Sequence, residues 1–239
     1  MPYIPSSRQY SVVTATSRSR GGSEVHCRSD DSPLLFEPLT LEAVPHIRPF
    51  LELSKARTCD FSIGGLLMWS EYFNYTYSIY KDTLYIKGVT EDDVTRPAFS
   101  LPVGASSLSE SLDVLKGYCR SHGCMPLVFS AVPEIYVEQL RSLGAADITM
   151  LDDWGDYLYE AQSLATLSGK KLGKKRNHVN RFMLDNPDYL FEPMTSAMVS
   201  EVREFYSQIH LPLSKPVLAD IEREQVMCVL DNLDRYGFE

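Results

Sequence analysis

Between Ser168 and Phe182 the chain reads SGKKLGKKRNHVNRF, which places Lys170, Lys171, Lys174, Lys175, Arg176 and Arg181 close together with Asn177 and His178. No acid occurs from Ala161 to Leu184, although the whole chain carries 32 acidic against 23 basic residues. So local a block of cations in an acidic protein is a footprint for one anionic partner. On a helix, Lys170, Lys174, Asn177 and Arg181 fall along one side, with Lys171, Lys175 and His178 beside them. Leu172, Val179 and Phe182 form a narrow apolar stripe opposite, able to dock the helix on a core. A docked comb of cations suits a row of phosphates, and Arg176 and Arg181 add forked donors for bidentate clamping. Gly169 and Gly173 each weaken the helix by about 1 kcal/mol, so its first turn is expected to be loose, and Pro187 ends it. The ordinary alternative is a solvated helix whose cations neutralise the facing surfaces of two acidic domains.

Other chemistry is sparse. The five cysteines, at 27, 59, 119, 124 and 228, are odd in number and scattered. They make no disulfide framework and point to a reducing compartment. Cys119, His122 and Cys124 stand in an order that suggests zinc, but a second ligand pair is lacking, so they read as helix-end and core residues and no metal is expected. No nucleophile elbow, phosphate loop or paired-carboxylate pattern occurs. The longest apolar runs, Ile63 to Trp69 and Pro126 to Val132, fall far short of the ~20 residues that span a bilayer. A net charge of −9 argues against general nucleic-acid or membrane-surface binding and leaves that role to the local patch.

The elements that would position this patch are those of a mixed α/β fold. Residues 1–33, rich in Ser, Thr, Arg and Gly, bury too little apolar surface to offset their ordering entropy and are expected to form an unstructured tail. Helices are expected from Thr40 to Leu53 and around Gly65 to Tyr72. Strands follow at Tyr75–Tyr80, at Thr83–Lys87 across the Lys81-Asp82 turn, and at Pro97–Leu101. Ser107 to Ser121 is an amphipathic helix with Leu108, Leu112, Leu115 and Cys119 on one face. The apolar run Met125–Val132 reads as a buried central strand, and Pro133 opens a helix to Leu143. Ile148–Leu151 and Asp156–Glu160 complete the expected sheet.

The chain also repeats itself. LLFEPLTLEAVPHIRPFLEL (34–53) matches YLFEPMTSAMVSEVREFYSQ (189–208) at eight of twenty positions with a constant offset of 155. In each copy a short strand ends at Glu-Pro, Thr40 or Thr195 follows as a helix cap, and apolar residues recur at helical spacing. Two tandem domains of one kind are the simplest reading: 34–160 as the first, 161–187 as the basic connecting helix and 188–239 as the start of a second, incomplete copy. That copy holds helices near Ala197–His210 and Leu218–Tyr236 without the strand-rich part that would bury them, so a truncated second copy is expected.

Asp156-Tyr157-Leu158-Tyr159, Leu164, Leu167 and above all GKKLGKKRNHVNRF (169–182), followed by Pro187 and Tyr189, resemble the phosphatidylglycerol lysyltransferase C-terminal family. Leu101-Pro102-Val103-Gly104 and the aromatic-rich Cys59–Trp69 region fit the same pattern. The resemblance implies tandem acetyltransferase-like (GNAT-like) domains and transfer of an aminoacyl group from aminoacyl-tRNA to a lipid or small acceptor. On that reading Lys170, Lys171, Lys174, Lys175, Arg176, Asn177 and Arg181 hold the tRNA or another polyanionic donor. Aminoacyl transfer needs a general base, for which Asp152, Asp153, Asp156, Tyr157, Tyr159 and His178 are candidates. Gln139 to Gly144 has the wrong spacing for a pyrophosphate-binding helix start, so no CoA or other cofactor is expected. A cytoplasmic transferase is the first reading. The runners-up are a non-catalytic anion- or RNA-binding module and a CoA-dependent N-acyltransferase.

Overall fold

The alternating TYSIY and TLYIK segments meet across Lys81 and Asp82, both with positive φ (48° and 50°), the left-handed pair that a tight hairpin of matching twist requires. They form β3 (Thr76–Tyr80) and β4 (Thr83–Val89), paired from Tyr80↔Thr83 to Thr76↔Lys87. The computed structural model describes residues 8–15, 32–208 and 216–236. Before the hairpin come β1 (Gln9–Thr14), β2 (Glu37–Pro38), α1 (Val44–Leu51) and α2 (Ile63–Met68). After it follow β5 (Pro97–Phe99), β6 (Val103–Gly104), α3 (Leu108–Ser121), β7 (Val128–Pro133), α4 (Val137–Ser142) and β8 (Ala145–Met150). The remainder is helical: α5 (Ala161–Thr166), α6 (Gly173–Asp185), α7 (Val199–Gln208), α8 (Pro216–Asp231) and α9 (Leu233–Tyr236).

The strands make one mixed sheet in the order β2-β3-β4-β5-β7-β1-β8, with β6 also against β4. The β5–β7 pair is parallel, through Phe99 and Phe129, and the other pairs are antiparallel. Successive residues of β4 face opposite sides, as a pleat demands. Tyr85 packs with Leu112, Leu115 and Cys119 of α3, while Leu84 and Ile86 pack with Ile47 of α1 and Leu66 of α2. Helices therefore cover both faces. The N-terminus of α3 is closed by a capping box, with Ser107 Oγ accepting from Glu110 N and the Glu110 carboxylate accepting from Ser107 N.

Three expectations change. Residues 1–33 were read as a tail, yet Gln9–Thr14 is an inner strand of the sheet, pairing antiparallel with both β7 and β8. Val12 is fully buried there, opposite Phe129 and Ile148, so partners distant in the chain supply the burial that its neighbours lack. The rest of that segment, apart from Arg8, Ala15, Ser32 and Pro33, lies outside the described residues, as does Cys27. Asp156–Glu160 is not a strand: the segment has no regular secondary structure and Tyr157 is 89% exposed. Thr40 makes no side-chain cap; its hydroxyl donates to Glu42 Oε2 at 2.9 Å.

The sequence repeat is also a repeat of local conformation. Leu41–Ala43 and Ser196–Met198 form equivalent 3-10 turns, closed by Ala43 N–H to Thr40 O at 3.0 Å and Met198 N–H to Thr195 O at 2.9 Å. Each leads directly into α1 or α7. The packing is not repeated. Phe36 meets the rings of Phe99 and Tyr118 at 6.1 and 5.0 Å, whereas Phe191 is 97% exposed. The later helix α8 returns to the first helices: Leu230 is buried, Val229 packs with the α1–α2 core, and Arg235 in α9 reaches Glu42 at 3.5 Å.

Candidate functional site

Among the described residues, a close gathering of reactive side chains begins at the entrance to α2. Cys59–Phe61 forms a 3-10 turn, after which Ser62 caps α2 by accepting from Gly65 N at 3.1 Å and donating to Cys59 O at 2.7 Å. A side chain at Gly65 would overlap the Cys59 carbonyl, so only glycine lets the turn fold this tightly against the helix. The second contributor is the loop after β8. Leu151 N donates to Gln9 O at 2.9 Å, extending the β1 pairing, and the chain then makes a 3-10 turn over Asp152–Trp154. Trp154 Nε1 donates to Glu91 Oε2 at 2.6 Å, its ring lies 5.6 Å from that of Phe73, and Asp156 Oδ2 accepts from Cys59 N at 2.8 Å. The third is β1, where Gln9 Nε2 donates to Asp60 Oδ2 at 2.6 Å.

These parts enclose a cavity of about 290 Å³. Trp69, Tyr72, Phe73 and Trp154 give it aromatic walls, and Asp60, Asp153, Asp156 and Glu91 give it carboxylates, with no Lys or Arg among its lining residues. Burial raises the Asp60 carboxyl above the usual range, opposed by the bond from Gln9 and reinforced by Asp156. The Cys59 thiol is pushed up to about 12 by burial and then by the Asp60 and Asp156 charges. A thiol so held is protonated at neutral pH and a poor nucleophile, so the cavity is built to receive positive charge rather than to attack through sulfur. A polar cleft of about 560 Å³ adjoins it, sharing Glu91 and Trp154 and lined also by Thr90, Arg96, Ser130 and Asp147.

The structure sorts the residues expected from the sequence. Asp153 and Asp156 reach the cavity. Asp152 is exposed, Tyr157 and Tyr159 stack on each other with centroids 6.4 Å apart, and His178 is exposed on α6. The basic stretch begins as a 3-10 turn at Lys170–Leu172 after Gly169, whose φ of 83° marks a non-helical entry, and becomes α-helical from Gly173. It does not dock along its apolar stripe. Leu172 is buried, but Val179 and Phe182 are 41% and 52% exposed, and the Phe182 ring meets that of Tyr189 edge to face at 5.4 Å. Arg176 Nη1 donates to Leu167 O at 2.6 Å and Arg181 Nε to Asp185 Oδ2 at 2.9 Å. Lys170, Lys171, Lys174, Lys175 and Asn177 are exposed, without ion-pair or hydrogen-bonded side-chain partners among the described residues. None of the seven lines the cavity.

Cys59, Asp60, Gln9 and Glu91 were not singled out for chemistry from the sequence. The adjacent Cys59-Asp60 pair was the available signal, since a thiol next to a carboxylate can share a ligand. The triad expected to be ordinary is accounted for by packing: Cys119 is in the core beside Cys124, and His122 stacks on Tyr118 with centroids 4.0 Å apart.

The sequence profile of the family described as "Phosphatidylglycerol lysyltransferase, C-terminal" matches residues 51–208, a span that runs from the last residue of α1 through every cavity-lining residue except Gln9 and through the basic stretch to the end of α7. A crystal structure of a conserved protein of unknown function from Bacteroides thetaiotaomicron VPI-5482 is similar, with a TM-score of 0.69 and 24% identity. The match covers 85% of this chain and 69% of that one, and it bears on the fold alone. Comparison with curated proteins returned no match. No helix among the described residues is long and apolar enough to cross a membrane.

Proposed function

The chain belongs to the phosphatidylglycerol lysyltransferase C-terminal family, and from that premise we propose that it is an acyltransferase that takes an aminoacyl group from aminoacyl-tRNA. The observation that carries this reading is the exposed cation comb, in which Lys170, Lys171, Lys174 and Lys175 have no ion-pair or hydrogen-bonded side-chain partner among the described residues, in a chain of net charge −9. Such groups neutralise phosphates without first breaking internal ion pairs. Arg176 and Arg181 add charge while bonded locally, and Asn177 adds a donor on the same helix. On this reading the two copies of the sequence repeat are relics of tandem GNAT-like domains, the basic segment joins them, and the acceptor is a lipid or a small molecule.

The test is binding of aminoacyl-tRNA to the full chain across a salt series, followed by transfer assays with amine and lipid acceptors. Affinity is expected to fall by roughly 0.7 log units per tenfold salt for each single-strand phosphate neutralised, and K174A/K175A/R176A to reduce that slope by up to about 2. Binding unchanged by the triple variant overturns the reading. Binding without deacylation or transfer supports a second one, a non-catalytic RNA-binding module, which is favoured by the separation of the comb from the cavity lining.

A further inference from the structure

We propose that Cys59, Asp60 and Asp156, with Gln9 beside them, form a binding site for a thiophilic divalent metal ion of the zinc type. The Cys59 thiol and one oxygen from each carboxylate all lie within 4.8 Å of one another, although Gln9, Asp60 and Asp156 come from three separate parts of the chain. In a tetrahedral zinc site, bonds of about 2.0–2.3 Å put neighbouring donor atoms roughly 3.3–3.8 Å apart, so modest side-chain rotation closes the trio on an ion. Each carboxylate is already oriented by a hydrogen bond to one oxygen, Asp60 Oδ2 by Gln9 Nε2 and Asp156 Oδ2 by Cys59 N. Such oriented ligands with outer hydrogen bonds are the arrangement that metal sites use.

The independent observation is Gln9. It is 99% buried, lines the same cavity, and its Oε1 has no hydrogen-bond partner among the described residues. An orphaned buried acceptor costs about 1–3 kcal/mol, and a cation next to Asp60 removes that cost by giving the amide oxygen a partner. The donor set chooses the metal: a sulfur ligand favours zinc and its borderline neighbours over magnesium or calcium, which take all-oxygen shells. The site opens on the aromatic cavity, so a fourth or fifth position stays accessible to a small ligand, as in catalytic rather than closed structural zinc sites. This inference stands apart from the identity of the donor.

The full chain, freed of metal by chelator and dialysis, is titrated with cobalt(II) as a spectroscopic probe and with zinc against a competing chelator. One ion per chain is expected, with a thiolate-to-cobalt charge-transfer band that is abolished in Cys59→Ser and retained in Cys124→Ser and Cys228→Ser. Asp156→Asn and Gln9→Leu are expected to weaken zinc binding at least tenfold, and zinc is expected to raise the thermal midpoint of the parent chain but not of Cys59→Ser. Cys59 and Asp156 are not core residues, so circular dichroism of their metal-free variants should match the parent. Persistence of the band in Cys59→Ser, its loss in Cys124→Ser, or binding no tighter than in Asp156→Asn overturns the proposal.

Discussion

Replacing Val12 by alanine tests whether the first strand truly holds the sheet together. Val12 is fully buried, between Phe129 on one side and Ile148 on the other, with its side chain in the core that includes Leu115, Leu127 and Leu140. The substitution removes the equivalent of two methylene groups, worth about 0.8 kcal/mol each in transfer, and leaves a void that the close-packed core fills only in part. The expected loss is therefore about 2–3 kcal/mol. Val13, whose side chain points to the opposite, partly exposed face, is the internal control and should lose less than about 1 kcal/mol on the same change. Equilibrium urea unfolding of the full chain reads both. With a slope of about 2–3 kcal/mol per molar, the Val12→Ala midpoint should fall by roughly 1 M. Equal midpoints for Val12→Ala and Val13→Ala would show that Gln9–Thr14 does not occupy the slot between β7 and β8.

Gly65→Ala would drive a methyl group into the Cys59 carbonyl, and calorimetry should show a loss of about 1–3 kcal/mol as the Cys59 turn opens. Leu230→Ala should cost about 2–4 kcal/mol in thermal or urea unfolding, because α8 buries this residue near the α1–α2 core; a change under about 0.5 kcal/mol would mean that α8 does not dock there. The Cys124 thiol is held down to about 7 by the hydrogen bond from Cys119 and by the Lys87 ammonium, against the opposing effect of burial. Its alkylation should therefore rise through that pH as thiolate forms. Lys87→Met removes a stabilising cation, raises the Cys124 pKa and slows alkylation severalfold at pH 7, whereas unchanged rates would exclude that electrostatic link.

The parts of the fold legible in the sequence are those fixed by near neighbours. The β3–β4 hairpin follows from alternation around two turn residues, α3 from its 3.6-residue apolar period, and the basic stretch from composition alone. β1 was hidden because QYSVVT sits among Ser, Arg and Gly, and its burial depends on Phe129 and Ile148, far along the chain. The alternation of Asp156-Tyr157-Leu158-Tyr159 suggested a strand, but Asp156 accepts a hydrogen bond from the Cys59 amide, distant in the chain, and Tyr157 is exposed. The cavity cluster was illegible for the same reason. Cys59 and Asp60 are adjacent, but Gln9 and Asp156 join them only once the sheet is assembled, and no local spacing encodes that meeting.

The place of β1 between β7 and β8 also sets a timetable for biosynthesis. The strand leaves the ribosome well over a hundred residues before either partner, an interval on the order of ten seconds at about 5–20 residues per second. β7 and β8 are joined in the sheet through β1, which lies between them. A stretch that looks dispensable by composition thus waits for strands made much later, and the β7–β1–β8 side of the sheet is complete only when all three are present.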